Sequence, residues 1–419
     1  MSSRVIVVGS VNIDLVARVP HLPHPGETVT GGSYERHNGG KGGNQAVAAA
    51  RLRRPTLFIG AVGDDTFEQE ARRALSSERV DVSMVASLPG QPTGVALILV
   101  DATGENEIAV VPGANGAIET GYVRDCLARL GRLSGDVLLV CNEVPLHVVR
   151  EALVCGHAAG AITVLNPAPA IGIDRSIFGL ADIVTPNRTE LATLLQAEAH
   201  RTGRRIDAAG ADTAVRARSL METGPEGPGV RKAVIVTLGA AGVVVLERAG
   251  SGLAGSTRPA TGEVASGTPV AAVANATAAA NDQGIAEPVA AAGGTQVPAT
   301  PPTPVTAAGP ASVTAPAKEA APAEEAAPAT DGSPADAARV GDLRIWEVPA
   351  DRVATVDSTG AGDAFCGALA AALAAGRSLA EAVQRAVAAG ALATTHVGAR
   401  EGMPTAAELE AFLVARETP

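Results

Sequence analysis

The chain has 419 residues, 46% of them apolar, with a formal net charge of −11 and a pI near 5.2. That apolar fraction allows a large core and excludes a mainly disordered protein. The acidic balance argues against a nucleic-acid or anionic-membrane binder, either of which needs clustered Lys and Arg.

Residues 4–9 (RVIVVG) form a continuous apolar run ending in glycine, as a buried parallel strand should. The following residues turn polar at once, so no secretory signal is predicted. Residues 43–53 read as a helix, 56–62 as a strand, 67–78 as a helix and 137–141 as a strand. A helix over 145–159, strands at 162–165 and 183–185, and a helix over 189–197 follow. Strands at 233–237, 242–246 and 343–348 precede two helices at 362–375 and 379–394. This alternation implies an α/β fold whose mostly parallel sheet is covered by helices on both faces. Two pairs of segments depart from it, 16–19 with 27–36 and 94–100 with 107–111. They read as hairpin strands of a small separate sheet, a lid spanning about 15–37 and 94–111.

Residues 251–340 are rich in Ala, Pro and Thr, lack aromatics, and show neither a 3.6 nor a 2.0 apolar period. Such a segment buries too little surface to offset its ordering entropy, so it is predicted to be a disordered insert. The remainder, 1–250 with 341–419, is about 330 residues and suits one large α/β domain. No apolar run is long enough to span a membrane. The four cysteines form no Cys-x-x-Cys pair and suit reduced core thiols of a cytoplasmic protein. His21, His24 and His37 lack metal-ligand spacing.

The richest chemical motif is DSTGAGDAF, Asp357 to Phe365. A Gly-x-Gly turn opening an apolar helix gathers unpaired N–H groups and the helix dipole into an anion site suited to a phosphoryl group. Asp363 lies beside those donors and either accepts a proton from an attacking hydroxyl or simply caps the turn. Asn38 to Gln45 (NGGKGGNQ) is a second Gly-rich segment entering a helix. It lacks the Gly-x4-Gly-Lys-Ser/Thr order of a P-loop, but Lys41 and Asn44 supply donors. Asn12 and Asp14, in GSVNID, lie beyond the end of the first strand, where open α/β sheets bind ligands. An Asn and an Asp two apart suit vicinal hydroxyls or a plain strand-end turn. Glu143 lies at another strand end. Asn187 and Glu190, in TPNRTE, open a helix as a cap or serve a Mg²⁺–phosphate group.

Taken in order, GSVNID, PGETVTGG, GGKGGNQAVAAA, TGVALILV, GANG, LNPAPA, TPNRTE, TLGAAGV and DSTGAGDAF resemble the ribokinase-like, PfkB-type carbohydrate kinases. The resemblance spans everything except the insert. It implies ATP-dependent phosphorylation of the 5-hydroxyl of D-ribose, with sister kinases for 2-deoxyribose, a ketohexose or a nucleoside as the alternative. A catalytically silent sugar-binding regulator is a further one. By matching position, Asn12, Asp14, Gly40, Lys41, Asn44 and Glu143 would hold the sugar and Asp363 would be the base. Gly360, Ala361 and Gly362 would form the anion hole. Asn187, Thr237, Gly239, Gly242 and Gly362 would serve ATP, flanked by the helix 387–394, with Glu190 acting indirectly on Mg²⁺. An activating K⁺ would be held by Asp357 and Thr359, with carbonyls from Ala393, His396 and Gly398. The family also implies a homodimer through the lid sheet, and the Gly39–Gly40 pair would be its hinge. Two departures stand out. Gly402 replaces a serine that some relatives place near the cation, and the insert interrupts a short turn.

Overall fold

The computed structural model describes residues 2–203, 212–224, 227–253 and 337–417. Strand β1 (Val5–Val8) runs through the middle of the molecule and shows how both faces of the sheet are filled. Val5 and Val7 enter one apolar cluster, Ile6 and Val8 the other, and all four are fully buried. The chain continues through β2 (Asn12–Arg18) and β3 (Ser33–Gly39), helix α1 (Lys41–Arg51), β4 (Thr56–Gly63), α2 (Glu68–Ser77) and β5 (Val80–Leu88). Next come β6 (Gly94–Val100), β7 (Asn106–Val111), α3 (Ala114–Ala117), α4 (Thr120–Leu130), β8 (Val137–Cys141) and α5 (Leu146–Ala158). They lead to β9 (Ile162–Asn166), α6 (Arg175–Phe178), β10 (Ile183–Val184), α7 (Arg188–Thr202), α8 (Thr213–Met221), β11 (Ala233–Thr237) and β12 (Val243–Arg248). The final elements are β13 (Ala338–Val340), β14 (Leu343–Val348), α9 (Ala361–Ala374), α10 (Leu379–Ala393) and α11 (Ala406–Glu417).

Ten strands form the main sheet in the order β13-β14-β12-β11-β10-β9-β8-β1-β4-β5. Pairing is parallel from β11 through to β5 and antiparallel among β11, β12, β14 and β13. Helices α1, α9 and α10 contribute to one apolar cluster; α4, α5, α7 and α8 contribute to the other. The near-absence of aromatics has a packing counterpart in the first cluster, where alanines of α1, α9 and α10 dominate. A Cβ on Gly367 would lie 2.5 Å from that of Ala48, so α1 and α9 touch almost backbone to backbone.

The small sheet has the order β3-β2-β6-β7, its two antiparallel hairpins joined by parallel pairing of β2 with β6. Its first hairpin is displaced from the expected positions. Strand β2 starts at Asn12, so Asn12 and Asp14 lie on a lid strand rather than in a turn. Its partner starts only at Ser33, after the pair Gly31–Gly32, which lacks the side chains that favour a strand. The expected disordered insert lies almost wholly outside the described residues. At its end, however, Ala338–Val340 forms β13 and pairs with β14, so that strand belongs to the main sheet.

Candidate active site

The site lies where the starts of α1, α7 and α9 approach the ends of the parallel strands. A cleft of about 230 Å³ there is lined by residues that include Lys41, Asn187, Glu190, Thr237, Gly360 and Asp363. These residues come from five separate stretches of the chain, and the fold brings them together.

Gly360 caps α9 in the left-handed region, at φ +76°, with the Ala399 backbone 2.8 Å from where a Cβ would sit. Only glycine fits such a turn. Among the described residues, the N–H groups of Gly360, Gly362 and Asp363 have no hydrogen-bond partner, whereas that of Ala361 is spent on the Ser358 carbonyl. Residues 360–363 thus present three unpaired backbone N–H groups at the start of α9.

Asp363 is 7% exposed and fully engaged. Asn44 Nδ2 donates to its Oδ2 and Gln45 Nε2 to its Oδ1, both at 3.0 Å. Gln45 also donates to Asn166 Oδ1 at 3.0 Å. Two amide donors, one on each oxygen, fix the position of the carboxylate. Lys41 sits in the cleft, and its ammonium pKa is raised, first by the Asp363 charge and against the effect of burial. A protonated lysine beside the anion hole is suited to phosphate oxygens.

A second polar layer adjoins the cleft. Glu143 Oε2 accepts the Lys41 N–H at 3.0 Å and the Ser10 hydroxyl. Asn12 Oδ1 accepts from Asn115 Nδ2 at 2.8 Å, which leaves the Asn12 amide N–H groups for a ligand. Burial pushes the Asp14 carboxyl up to about 6; the Arg400 charge opposes this, while Glu143 and Asp363 add to it. Gly40, at φ +83°, connects β3 to α1, and a Cβ there would lie 2.7 Å from Asn12 N.

Asn187 and Glu190 form the helix cap that the sequence offered as one of its two readings. Asn187 Oδ1 accepts the Glu190 N–H and Glu190 Oε2 accepts the Asn187 N–H, each at 2.8 Å, a reciprocal capping box. Glu190 still lines the cleft with Oε1 uncommitted, and burial raises its pKa. Of the residues expected at the nucleotide, Thr237 reaches the cleft and Gly239 starts the turn after β11. Neither Gly239 nor Gly242 is among the residues that line this cleft. Gly242 packs on Val348–Ala350, where a Cβ would meet the Val348 carbonyl at 2.1 Å.

Beside the anion hole, Asp357 Oδ1 accepts the Thr359 N–H and hydroxyl at 2.9 and 2.7 Å, and Oδ2 accepts the Gly398 N–H at 2.9 Å. Burial raises the Asp357 pKa, but these donors outweigh it and leave the carboxyl below its usual range. Gly402 lies against Ala393, whose carbonyl oxygen is 2.2 Å from the position of a Cβ at 402. Sequence reasoning missed Arg400, Gln45, Asn115 and Asn166. Arg400 is 6% exposed, and its partners Asn44 and Gly39 lie some 350 residues away in sequence.

A mostly parallel sheet carrying a helix-N-terminal anion site, an amide-held carboxylate and a separate four-stranded lid defines a phosphotransferase acting on a hydroxyl. The family model "pfkB family carbohydrate kinase" matches residues 2–268 and 334–406. The chain belongs to the PfkB family of carbohydrate kinases. It is 39% identical over 245 residues to a ribokinase of Schizosaccharomyces pombe, covering 57% of this chain and 73% of that one. To a ribokinase of Haemophilus influenzae it is 37% identical over 245 residues, covering 58% and 75%. The crystal structure of a Thermotoga maritima ribokinase superimposes with a TM-score of 0.67 at 26% identity, covering 98% of this chain and 99% of that one.

Proposed function

We propose that the protein transfers the γ-phosphoryl group of ATP to the 5-hydroxyl of D-ribose, giving ribose 5-phosphate and ADP. The observation that carries this reading is Asp363, held by Asn44 and Gln45 at the mouth of an unpaired N–H cluster. The new bond joins the sugar oxygen to the γ-phosphorus, the bond to the bridging oxygen of ADP breaks, and the hydroxyl proton passes to Asp363. The transition state is loose, so the work is mainly positioning and charge stabilisation. A carboxylate is too weak to deprotonate a sugar in advance, so Asp363 takes the proton late. The Gly360, Gly362 and Asp363 N–H groups and Lys41 stabilise the equatorial oxygens. Asn12, Asp14 and Glu143, with the remaining Asn44 N–H, bind the sugar hydroxyls.

Glu190 Oε1, uncommitted in the cleft, would hold a water on a Mg²⁺ ion brought with ATP, and that ion would supply charge neutralisation at the phosphates. Asp357, with the carbonyls of residues 393, 396 and 398, is a hard-oxygen set suited to K⁺. Gly402 has no side chain to offer that shell, and the Ala393 carbonyl lies where its Cβ would be. The lid exposes Tyr34, Leu97, Ile108 and Val110, which supports a homodimer formed through this sheet. No helix among the described residues is long and apolar enough to cross a membrane, and buried free cysteines suit a cytoplasmic setting. ATP consumption measured over pentoses, hexoses and nucleosides tests the reading, with ribose expected to give the highest kcat/KM. A preference for 2-deoxyribose, fructose or adenosine would move the assignment to a sister kinase, and no turnover with any would indicate a regulator.

A further inference from the structure

We infer that Arg400 is a positioning residue for phosphoryl transfer, fixing which way the Asn44 amide faces and tying it to the lid hinge. The inference rests on the reading of Asp363 as the base. Asn44 Oδ1 accepts from Arg400 Nε at 2.9 Å, while Asn44 Nδ2 donates to Asp363 Oδ2 at 3.0 Å. An amide carries a donor end and an acceptor end of nearly equal size. Without a cation on its oxygen, the Asn44 amide is held only through its NH₂ by Asp363 and can pivot about that contact. With Arg400 in place, it must present its NH₂, one hydrogen to Asp363 and the other to the sugar side.

The same guanidinium donates from Nη2 to the Gly39 carbonyl at 2.8 Å, at the last residue of lid strand β3. Its fork therefore joins the hinge to the base's own partner, a geometry that a lysine ammonium cannot reproduce. Two further observations show that the chain is shaped around this residue. Gly43 lies inside α1, where glycine is unfavourable, and a Cβ there would stand 2.5 Å from Arg400 Nη2. The Arg400 carbonyl is in turn held by Arg51 Nη1 at 2.6 Å, and Arg51 is held by Glu78 through paired contacts of 2.9 and 2.6 Å. Nη1 of Arg400 is buried without a partner among the described residues. A guanidinium kept buried and incompletely paired is poorly explained by stability alone.

The experiment is a double-mutant cycle on the full chain with Arg400→Met and Asn44→Ala, read as kcat and KM for ribose and for ATP. Arg400→Met is expected to lower kcat at least about tenfold with KM for ATP within about twofold. In the Asn44→Ala background it should cost less than about twofold more, because the two residues act as one unit. Unchanged kcat in the single variant, or losses that multiply in the double variant, would overturn the inference. If Arg400→Met does not fold, Gly43→Ala displaces the guanidinium without removing it and enters the same cycle with the same criteria. Asp363→Asn is measured alongside: substantial activity there would sink the base assignment itself, independently of the cycle.

Discussion

The carboxylate of Asp14 lies directly over the α-carbon of Gly39, so that a methyl group on residue 39 would stand 2.1 Å from Oδ2 and 2.3 Å from Oδ1. The two residues belong to paired lid strands, Asp14 on β2 and Gly39 at the end of β3. The missing side chain is the space in which the carboxylate sits. Gly39→Ala should therefore displace Asp14 and raise KM for ribose by about tenfold or more, the scale of one lost charged hydrogen bond. KM for ATP should stay within about twofold. Steady-state kinetics with each substrate varied in turn check this, and a change confined to ATP would contradict it.

Asp14 also sets a pH dependence. Its folded-state pKa is raised from 3.8 to about 6, chiefly by burial. Accepting a hydroxyl hydrogen requires the ionised form, so KM for ribose should climb as pH falls through 6. The effect on stability has the opposite sense. Between pH 4 and 6 the folded state binds the proton that the unfolded state releases, so Asp14 makes the fold less stable as pH rises through that window. Asp14→Asn should thus melt at the same or a higher temperature at pH 7.5 while binding ribose poorly. A lower melting temperature together with unchanged ribose affinity would refute both points.

Asp363→Asn removes the proton acceptor but keeps the size of the side chain. The expected result is a kcat reduced by ~10²–10⁴-fold, the usual reach of general acid–base catalysis. Ribose and ATP binding should stay within about tenfold. Retention of more than about a tenth of kcat would exclude the base role.

The two halves of this site differ in how openly the sequence displays them. DSTGAGD and GGKGGNQ are local: each turn, its helix start and its polar residues lie within a few positions, so their chemistry is visible in a linear reading. The β-strand boundaries around Asn12 were misjudged for a related reason. A polar residue at the end of an apolar run looks like a turn until its partner strand, here ending in Gly39, is known. Arg400, Gln45, Asn115 and Asn166 act through contacts made across more than 100 residues of chain; the last three stand within GGKGGNQ, GANG and LNPAPA, but nothing local shows which partners they reach. Gly242 belongs with them. The family resemblance implies a nucleotide contact for it, while the need for glycine that the structure displays, the β12 turn passing the Val348 carbonyl, comes from a partner about 100 residues away.

Activity should be low in Na⁺ or Tris buffer and rise on adding K⁺. Gly402→Ser should weaken that activation. Its Cβ would push the Ala393 carbonyl, 2.2 Å away, out of the cation's reach. Titration of K⁺ against initial rate for both proteins is the check; stronger activation of the serine variant would show that the carbonyl relocates without loss.

Replacing residues 254–336 with about seven Gly/Ser residues should leave kcat unchanged. Leu253 is buried in the first apolar cluster and accepts a hydrogen bond from Leu379 N at 3.1 Å, and Ala337 packs on the same cluster. Both ends are therefore anchored independently of what lies between them. Closing a loop roughly twelvefold shorter should favour folding by about 2 kcal/mol, so the melting temperature should not fall. A tenfold loss in kcat/KM for ATP with folding intact would assign the segment a part in the nucleotide site.

The contact between Gly367 and Ala48 has a bearing on which sugars can ever be accepted. Asn44 and Gln45 ride on α1 and Asp363 on α9, and the two helices meet with hardly any side chain between them. On the reading of Asp363 as the base, the reach from sugar to proton acceptor is a spacing between two helix axes, set about one turn behind those side chains. Trimming or enlarging residues inside the pocket leaves that spacing as it is. Redesign toward a bulkier alcohol would have to begin in the alanine-lined seam between the helices, where a single added methyl group moves the whole front edge of the site.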